Sequence, residues 1–189
     1  MFTSFYPGAS SHSVEDVSEI VRLAMEQASR AIFDLGLEDS RYAGMSTTAS
    51  VVLIVGEFAV IGQVGDTRVY HSRGHFARQL TEDHTLQNVR VQQGLLGIEH
   101  AKNRKSPITR ALGLRDAVDV DIRTTRVMAG DRLLLCTDGL HAHLEPGAVL
   151  TQLFQMDLRD AAPAAIRYAR RCGGKDNATA VFVEAISPA

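Results

Sequence analysis

The chain has 189 residues, with 20 basic and 22 acidic side chains and a formal net charge of -2. This length suits one domain with a substantial core and not two, and the balanced charge argues against nucleic acid or an anionic membrane as a partner. No apolar run is long enough for a membrane span, and the N-terminus lacks the basic region of a signal peptide. Cys136 and Cys172 have neither metal-ligand nor disulfide-framework spacing, so a reduced, cytoplasmic setting is expected.

The first predicted element is a long amphipathic helix. Ser13 and Asp16 form a capping box, with Ser13 as the N-cap and Asp16 at the third helical position. Apolar residues then recur at helical spacing from Val14 to Leu35, and Gly36 is predicted to end the helix.

The rest of the chain predicts strands that follow one another, with helices grouped between them. The predicted strands cover residues 48–55, 58–64, 68–72, 75–80 and 118–122, the run through Leu133, and the C-terminal run from Ala180. The predicted helices cover residues 85–93, 98–103, 146–156 and 160–171. This order favours an antiparallel α+β architecture over a doubly wound parallel sheet.

Two acidic turns near the C-terminus are the most informative local feature. Asp138 follows the apolar run 132–136, and Asp176, in the sequence Gly-Gly-Lys-Asp-Asn, precedes the apolar run 180–183. Each turn places a carboxylate at a strand end beside glycines, and together the two carboxylates would form a hard-oxygen site suited to Mg or Mn. Either turn alone is equally compatible with a purely structural turn.

Several short segments, taken in order, point to one family. They are Gly-Met-Ser-Thr-Thr-Ala at 44–49, Val-Gly-Asp-Thr-Arg-Val-Tyr at 64–70, Leu-Thr-Glu-Asp-His-Thr at 80–85, Ile-Thr-Arg-Ala-Leu-Gly at 108–113, and the two acidic turns. Over residues 44–185 the chain resembles the bacterial members of the metal-dependent protein serine/threonine phosphatases of type 2C. The resemblance implies a sandwich of two antiparallel sheets flanked by helix pairs, with a metal site at one end. It also implies a single domain over residues 1–189 that is N-terminally truncated relative to the family and lacks its first strand.

The resemblance assigns roles to individual residues. In this family two metal ions share a bridging water and lower its pKa, so that hydroxide can attack phosphorus. Asp138 and Asp176 would bind one metal ion, Asp83 would bind the additional, weaker metal of bacterial relatives, and Asn177 would steady Asp176.

The resemblance also implies a flap beside the site, formed by residues 95–107. Its basic side chains, which would meet a phosphorylated peptide, are Lys102, Arg104 and Lys105. The alternative is that these side chains are solvated cations on a loop.

The N-terminus departs from the family pattern. The family opens with a strand whose arginine grips the phosphate, followed by Asp-Gly-x-Gly-Gly-His at the end of a second strand. Residues 2–12 align with that second strand: Gly8 would provide a backbone metal ligand and His12 a general acid, but Pro7 stands where the metal-bridging aspartate belongs. Without that carboxylate two metal ions would repel strongly, so weak or partial metal binding is expected. His12 is equally interpreted as a surface residue.

Nearby acidic residues offer no clear replacement for the missing bridge. Glu15 and Asp16 are better placed in the first turn of the helix. Asp66 is predicted to be a structural carboxylate that pairs with Arg68 or with backbone amides.

Three functional hypotheses follow. The one favoured by Pro7 is a degenerate phosphatase-fold module that binds a phosphorylated protein or a regulatory partner without turnover. The second is an active Mg- or Mn-dependent phosphatase for phosphoserine or phosphothreonine with an unorthodox site, favoured by the retained aspartates. The third is an incomplete piece of a larger phosphatase, in which an exposed sheet edge would pair with another chain or with a second copy.

Overall fold

The computed structural model describes residues 13–97, 106–144 and 147–186. Several of the residues named in the sequence-based predictions lie outside these ranges. They are the residues of the predicted helix over 98–103, most of the flap, and Pro7, Gly8, His12, Lys102, Arg104 and Lys105.

The described residues form five helices and seven strands, together with one short 3-10 turn. The helices are α1 (Val14–Glu38), α2 (Leu86–Gln92), α3 (Asp138–His141), α4 (Ala148–Gln155) and α5 (Leu158–Arg171), and the 3-10 turn is Ser40–Tyr42. The strands are β1 (Ala49–Val55), β2 (Phe58–Val64), β3 (Arg68–Arg73), β4 (Phe76–Gln79), β5 (Asp121–Arg126), β6 (Arg132–Cys136) and β7 (Ala180–Glu184). None of the helices in these ranges is both long enough and apolar enough to cross a membrane.

The strands form two antiparallel sheets, which confirms the predicted sandwich. One sheet has the order β1-β2-β5 and the other has the order β4-β3-β6-β7. Ala59 and Ile61 of β2 pack with Val69 and Leu133 of the second sheet, so these residues form the layer between the sheets. The helix pair α4 and α5 covers the outer face of the second sheet, while α1 covers the outer face of the first.

The capping box predicted for α1 is confirmed, but its predicted end is wrong. The Ser13 hydroxyl accepts a hydrogen bond from the Asp16 amide, and the Asp16 carboxylate accepts one from the Ser13 amide. The helix continues past Gly36 to Glu38 and is capped by Asp39. Gly36 instead permits a close approach, because a Cβ atom there would lie 3.0 Å from the carbonyl oxygen of Tyr42.

The strand predicted over residues 118–122 is also displaced. The observed strand, β5, runs from Asp121 to Arg126 because it pairs along β2, from Gln63 opposite Asp121 to Phe58 opposite Arg126. The apolar residues Val118 and Val120, which suggested an earlier strand, pack against the α1 cluster from irregular backbone. The hydrogen-bonding partner therefore determines the strand, and the local alternation does not.

Helix α1 lies directly on β2 at a glycine. Val60 and Val64 of β2 pack with Val21 and Met25 of α1. A Cβ atom on Gly62 would lie 2.6 Å from the Met25 sulfur and 2.7 Å from a Val21 methyl carbon. The close packing of α1 on the sheet therefore requires glycine, which has no side chain, at position 62.

We predict that Gly62→Ala lowers the free energy of unfolding by about 1–3 kcal/mol, because the new methyl group overpacks the contact between α1 and β2. Urea unfolding of the single variants Gly62→Ala and Met25→Ala and of the double variant measures this. Since Met25→Ala removes the nearer of the two groups that the new methyl group meets and leaves only the Val21 contact, the double variant should lose less stability than the two single losses combined. Strict additivity would contradict the contact.

Candidate active site

One end of the sandwich collects the ends of four strands. Strand β2 ends at Val64 and β3 begins at Arg68, while Arg68 lies opposite Cys136 and Cys136 lies opposite Ala180. Since the strands are antiparallel, the turn after β2, the turn after β6 and the turn before β7 all emerge at this end. They carry Asp66, Asp138 and Asp176, respectively.

The two acidic turns recognised in the sequence touch each other. The Thr137 amide donates to the Thr179 carbonyl at 3.3 Å, and the Thr179 amide donates to the Thr137 hydroxyl at 3.0 Å. A Cβ atom on Gly139 would lie 2.2 Å from the Asn177 carbonyl oxygen and 3.3 Å from the Asp176 Cβ. Only a glycine at position 139 allows the turns to approach this closely.

The glycines before Asp176 end helix α5 in a Schellman motif. Gly173 has a φ of 87°, its amide donates to the Arg170 carbonyl at 3.1 Å, and the Gly174 amide donates to the Ala169 carbonyl at 3.0 Å. This pair of bonds is the signature of the motif. The direction in which Lys175 and Asp176 leave the helix is therefore fixed by backbone hydrogen bonds.

Asp138 opens a short helix that was not predicted. Its carboxylate accepts a hydrogen bond from the Gly139 amide at 2.8 Å, at the start of α3. In the same way the Asp176 carboxylate accepts a bond from the Asn177 amide at 2.9 Å. Asn177 therefore contacts Asp176 through its backbone amide. The sequence-based prediction that Asn177 steadies Asp176 did not specify whether its side chain or its backbone would do so.

Asp83 forms a two-point ion pair with Arg68. The guanidinium donates from Nε at 2.9 Å to one carboxylate oxygen and from a terminal nitrogen at 2.6 Å to the other. Of the two partners predicted for Asp66, Arg68 or backbone amides, Arg68 is bonded elsewhere: it lies on the helix-facing side of β3 with Tyr70, to whose hydroxyl it also donates at 3.0 Å. A backbone hydrogen bond does act on the Asp66 carboxylate, as the other alternative predicted. Any role of Asp83 as a metal ligand stays a prediction and would have to share the oxygens bonded to Arg68.

Negative charge is concentrated at this end of the sandwich. Burial raises the pKa of Asp66, and the charges of Asp138 and then Asp83 raise it further. Like-charged carboxylates held together destabilise one another, and a bound cation offsets that repulsion.

These carboxylate oxygens are the donors that Mg and Mn prefer. Within residues 13–97, 106–144 and 147–186, however, no group of three or more His, Cys, Asp or Glu side chains is arranged to hold a metal ion. The described residues therefore fit a hard divalent cation in ligand type but supply only part of a coordination shell.

His84, which sequence reasoning did not single out, holds the turn that carries Asp66. Its Nδ1 accepts a hydrogen bond from the Gly65 amide at 3.0 Å, and its own amide donates to the Gly65 carbonyl at 2.9 Å. Nε2 is buried without a hydrogen bond, although it lies 3.2 Å from a carboxylate oxygen of Asp121. The Asp-His pair within the segment 80–85 was the available signal, since a histidine beside a site aspartate is a candidate support.

His141 is the second supporting histidine that was missed. It is buried at the end of α3, and its Nε2 lies 2.8 Å from the Asp66 carbonyl oxygen. Because a carbonyl only accepts, Nε2 carries the proton and donates. Burial, and then the positive charge of Arg68, lowers the pKa of His141 to about 4.

Because His141 stays neutral in the folded protein, we predict that the free energy of unfolding decreases as the pH falls from about 6.5 to about 4. The unfolded chain takes up the proton first in this range, so its free energy drops relative to the native state. At pH 5.5, one unit below the ordinary histidine pKa, the loss attributable to His141 should be on the order of 1 kcal/mol. Urea unfolding at pH 7.5 and 5.5 should give a smaller loss for His141→Gln than for the wild type. The exposed His75→Gln variant serves as the control and should behave like the wild type.

We also predict that Gly139→Ala forces the Asp138 and Asp176 turns apart, at a cost of about 1–3 kcal/mol in the free energy of unfolding. Ala142→Ser, an exposed change at the end of the same short helix, should cost little. Thermal or urea unfolding of the two variants provides the comparison. An unchanged stability in Gly139→Ala would mean that the two turns are not in close contact.

Comparison with known proteins places this chain in a family. A family profile described as "Protein phosphatase 2C" matches residues 9–172. Protein phosphatase PhpP of Streptococcus pneumoniae is 34% identical over 175 residues, which cover 90% of this chain and 70% of the relative.

Solved structures give the same result. The serine/threonine phosphatase of S. agalactiae superposes with a TM-score of 0.82 at 30% identity, covering 92% of this chain and 73% of that one. The catalytic domain of the protein phosphatase PstP, solved in complex with two manganese ions, superposes with a TM-score of 0.80 at 28% identity, covering 96% of this chain and 74% of that one. The sandwich is therefore a phosphatase-type fold, and the chain belongs to the protein phosphatase 2C family.

Proposed function

We propose that this chain is a metal-dependent protein serine/threonine phosphatase that removes phosphate from phosphoserine or phosphothreonine in proteins. The observation that carries the proposal is the contact between the Asp138 and Asp176 turns, at the end of the sandwich where Asp66 and Asp83 also lie. Relatives that match 90% or 91% of this chain, over 70% or 69% of their own length, are named as phosphatases.

The charge arrangement favours catalysis over a purely structural role. Asp66, Asp83 and Asp138 interact unfavourably, and only Asp83 has a cationic side chain, Arg68, bonded to it among the described residues. A fold that merely displayed a binding surface would gain stability by losing one of these acids. Their presence is best explained by a divalent cation that the carboxylates hold.

Asp138 and Asp176 are the residues we expect to hold this cation, in agreement with the roles that the family resemblance implies. A bound Mg or Mn ion supplies Lewis-acid chemistry: it makes water more acidic and neutralises charge on the phosphate. The surrounding residues keep the carboxylates in place. His84 anchors the Asp66 turn through Gly65, and His141 bonds the Asp66 carbonyl.

A second candidate is the module that binds phosphoproteins without turnover, which the sequence alone favoured. It is supported by the lack, among the described residues, of a group of three metal-binding side chains. The alignment of Pro7 with the bridging aspartate points the same way, although that residue lies outside the described part of the chain.

The proposals of self-association and of a larger assembly concern the sheet edges. Strand β1 lies at the edge of its sheet and, in the described part of the chain, pairs only with β2. Its exposed apolar residues include Val51, Leu53 and Ile54. Light scattering coupled to size exclusion tests these proposals, and a strict monomer at high concentration would contradict self-association.

We predict Mn-dependent phosphate release from a phosphothreonine peptide, and a reduction of kcat/KM by at least about 100-fold in Asp138→Asn, because a direct ligand matters at least as much as the outer shell around it. The matched control is Asp116→Asn, which removes an exposed carboxylate whose charge acts on Arg30 of α1 instead of on the acidic end. Thermal unfolding with and without Mn, run on the same proteins, reports cation binding independently of turnover.

The outcomes separate the candidates. Turnover that is lost in Asp138→Asn and kept in Asp116→Asn supports a phosphatase. Mn-dependent stabilisation without turnover, from folded protein, favours the binding module. Equal phosphate release from the wild type and Asp138→Asn would contradict the assignment of the site.

A further inference from the structure

A cavity adjoins the acidic end of the sandwich on the side of helix α5. It has a volume of about 380 Å³. Gly139, Asp176 and Asn177 line the wall that it shares with the acidic turns, and Arg170 and Lys175 line the wall formed by the end of α5 and the turn that follows. A group bound in this cavity would therefore lie next to whatever is bound at Asp138 and Asp176.

The cavity carries two cations whose charge is available. Arg170 and Lys175 are exposed, and neither forms a side-chain hydrogen bond or an ion pair with another described residue. Among the described residues that line the cavity, Asp176 is the one carboxylate, and it is shared with the acidic site. Arginine and lysine at the rim of a cavity favour carboxylate and phosphate groups.

Backbone hydrogen bonds fix the turn that carries these two residues. The Schellman motif bonds the Gly173 amide to the Arg170 carbonyl and the Gly174 amide to the Ala169 carbonyl. A Cβ atom on Gly174 would lie 2.8 Å from that Ala169 oxygen and 3.0 Å from His143 Nε2, so this turn is closely packed. The cavity wall is therefore formed before any ligand binds, which reduces the entropy lost on binding.

We propose that this basic cavity binds an acidic or phosphorylated side chain a few residues from the phosphoserine or phosphothreonine that the enzyme hydrolyses. The inference rests on the proposed phosphatase function and adds a substrate class to it: phosphoproteins whose target residue has an anionic neighbour. Arg170 and Lys175 are then specificity-determining residues that contact substrate away from the reacting phosphate.

The experiment compares three phosphothreonine peptides that differ only in flanking residues, which are neutral, acidic, or include a second phosphoserine. We expect the wild type to prefer the two anionic peptides by roughly 3- to 30-fold in kcat/KM, the effect of two exposed cations. The preference is the ratio of kcat/KM for an anionic peptide to kcat/KM for the neutral peptide, and in the double variant Arg170→Gln/Lys175→Gln this ratio should fall toward one. Because both values come from the same protein, any effect of the substitutions on catalysis itself cancels in the ratio.

The control is Arg167→Gln. Arg167 lies on the same helix but lines a different depression, with Met156 and Tyr168. It should keep the wild-type preference, which separates the cavity from a general effect of net charge. Loss of the preference in Arg167→Gln as well, or an unchanged preference in the double variant, would overturn the proposal.

Equilibrium binding of the same peptides as non-hydrolysable phosphonate analogues, followed by fluorescence anisotropy, makes the test independent of turnover. If the wild type hydrolyses none of the peptides but binds the anionic ones more tightly, and the double variant loses that preference, the result supports anion binding by the cavity and contradicts the proposed phosphatase activity. If the wild type hydrolyses all three peptides with equal kcat/KM and binds them with equal affinity, the result supports the phosphatase activity and contradicts anion binding by the cavity. No preference in either measurement overturns the proposal.

Discussion

The candidate site depends on strand β6 lying between β3 and β7. Their antiparallel registers place Cys136 opposite both Arg68 and Ala180, so three turns that are far apart in the chain emerge together. The turns of Asp138 and Asp176 then approach until Gly139 has no room for a side chain. The proposed cation site and the proposed substrate cavity both depend on this juxtaposition, because it brings the carboxylates to one end of the sandwich and places the basic cavity beside them.

Electrostatics gives the same end of the molecule two opposite characters. The charges of Asp138 and Asp83 act unfavourably on Asp66 and favour a bound cation, whereas Arg170 and Lys175 across the shared wall favour an anion. A phosphoprotein substrate carries negative charge at both places: in the proposed function its phosphate would meet the cation held by the carboxylates, and its acidic neighbours would meet Arg170 and Lys175. The two buried histidines, His84 and His141, serve the acidic side by fixing the backbone around Asp66.

Sequence reasoning worked best where local and tertiary requirements agree. The capping box of α1, the strand β2, which is buried except at Phe58, and the strand β6 were all predicted close to their observed bounds, because cap chemistry and apolar runs are local properties. It failed where a contact with a distant part of the chain determines where a helix or strand begins or ends. Gly36 was interpreted as a helix end, but it provides close contact with Tyr42. The strand predicted at 118–122 begins at Asp121, because β2 sets its pairing.

The sequence by itself determined the family and the α+β class, and it singled out Asp138 and Asp176 as candidate metal ligands, because all three inferences follow from residue types in a fixed order along the chain. Only the tertiary structure decided which side chains meet. It paired Arg68 with Asp83 instead of Asp66, brought His84 and His141 under the Asp66 turn, and formed the cavity with Arg170 and Lys175. These contacts join residues separated by long stretches of chain. Strand register and side-chain packing create these contacts, and a short stretch of sequence specifies neither the register nor the packing.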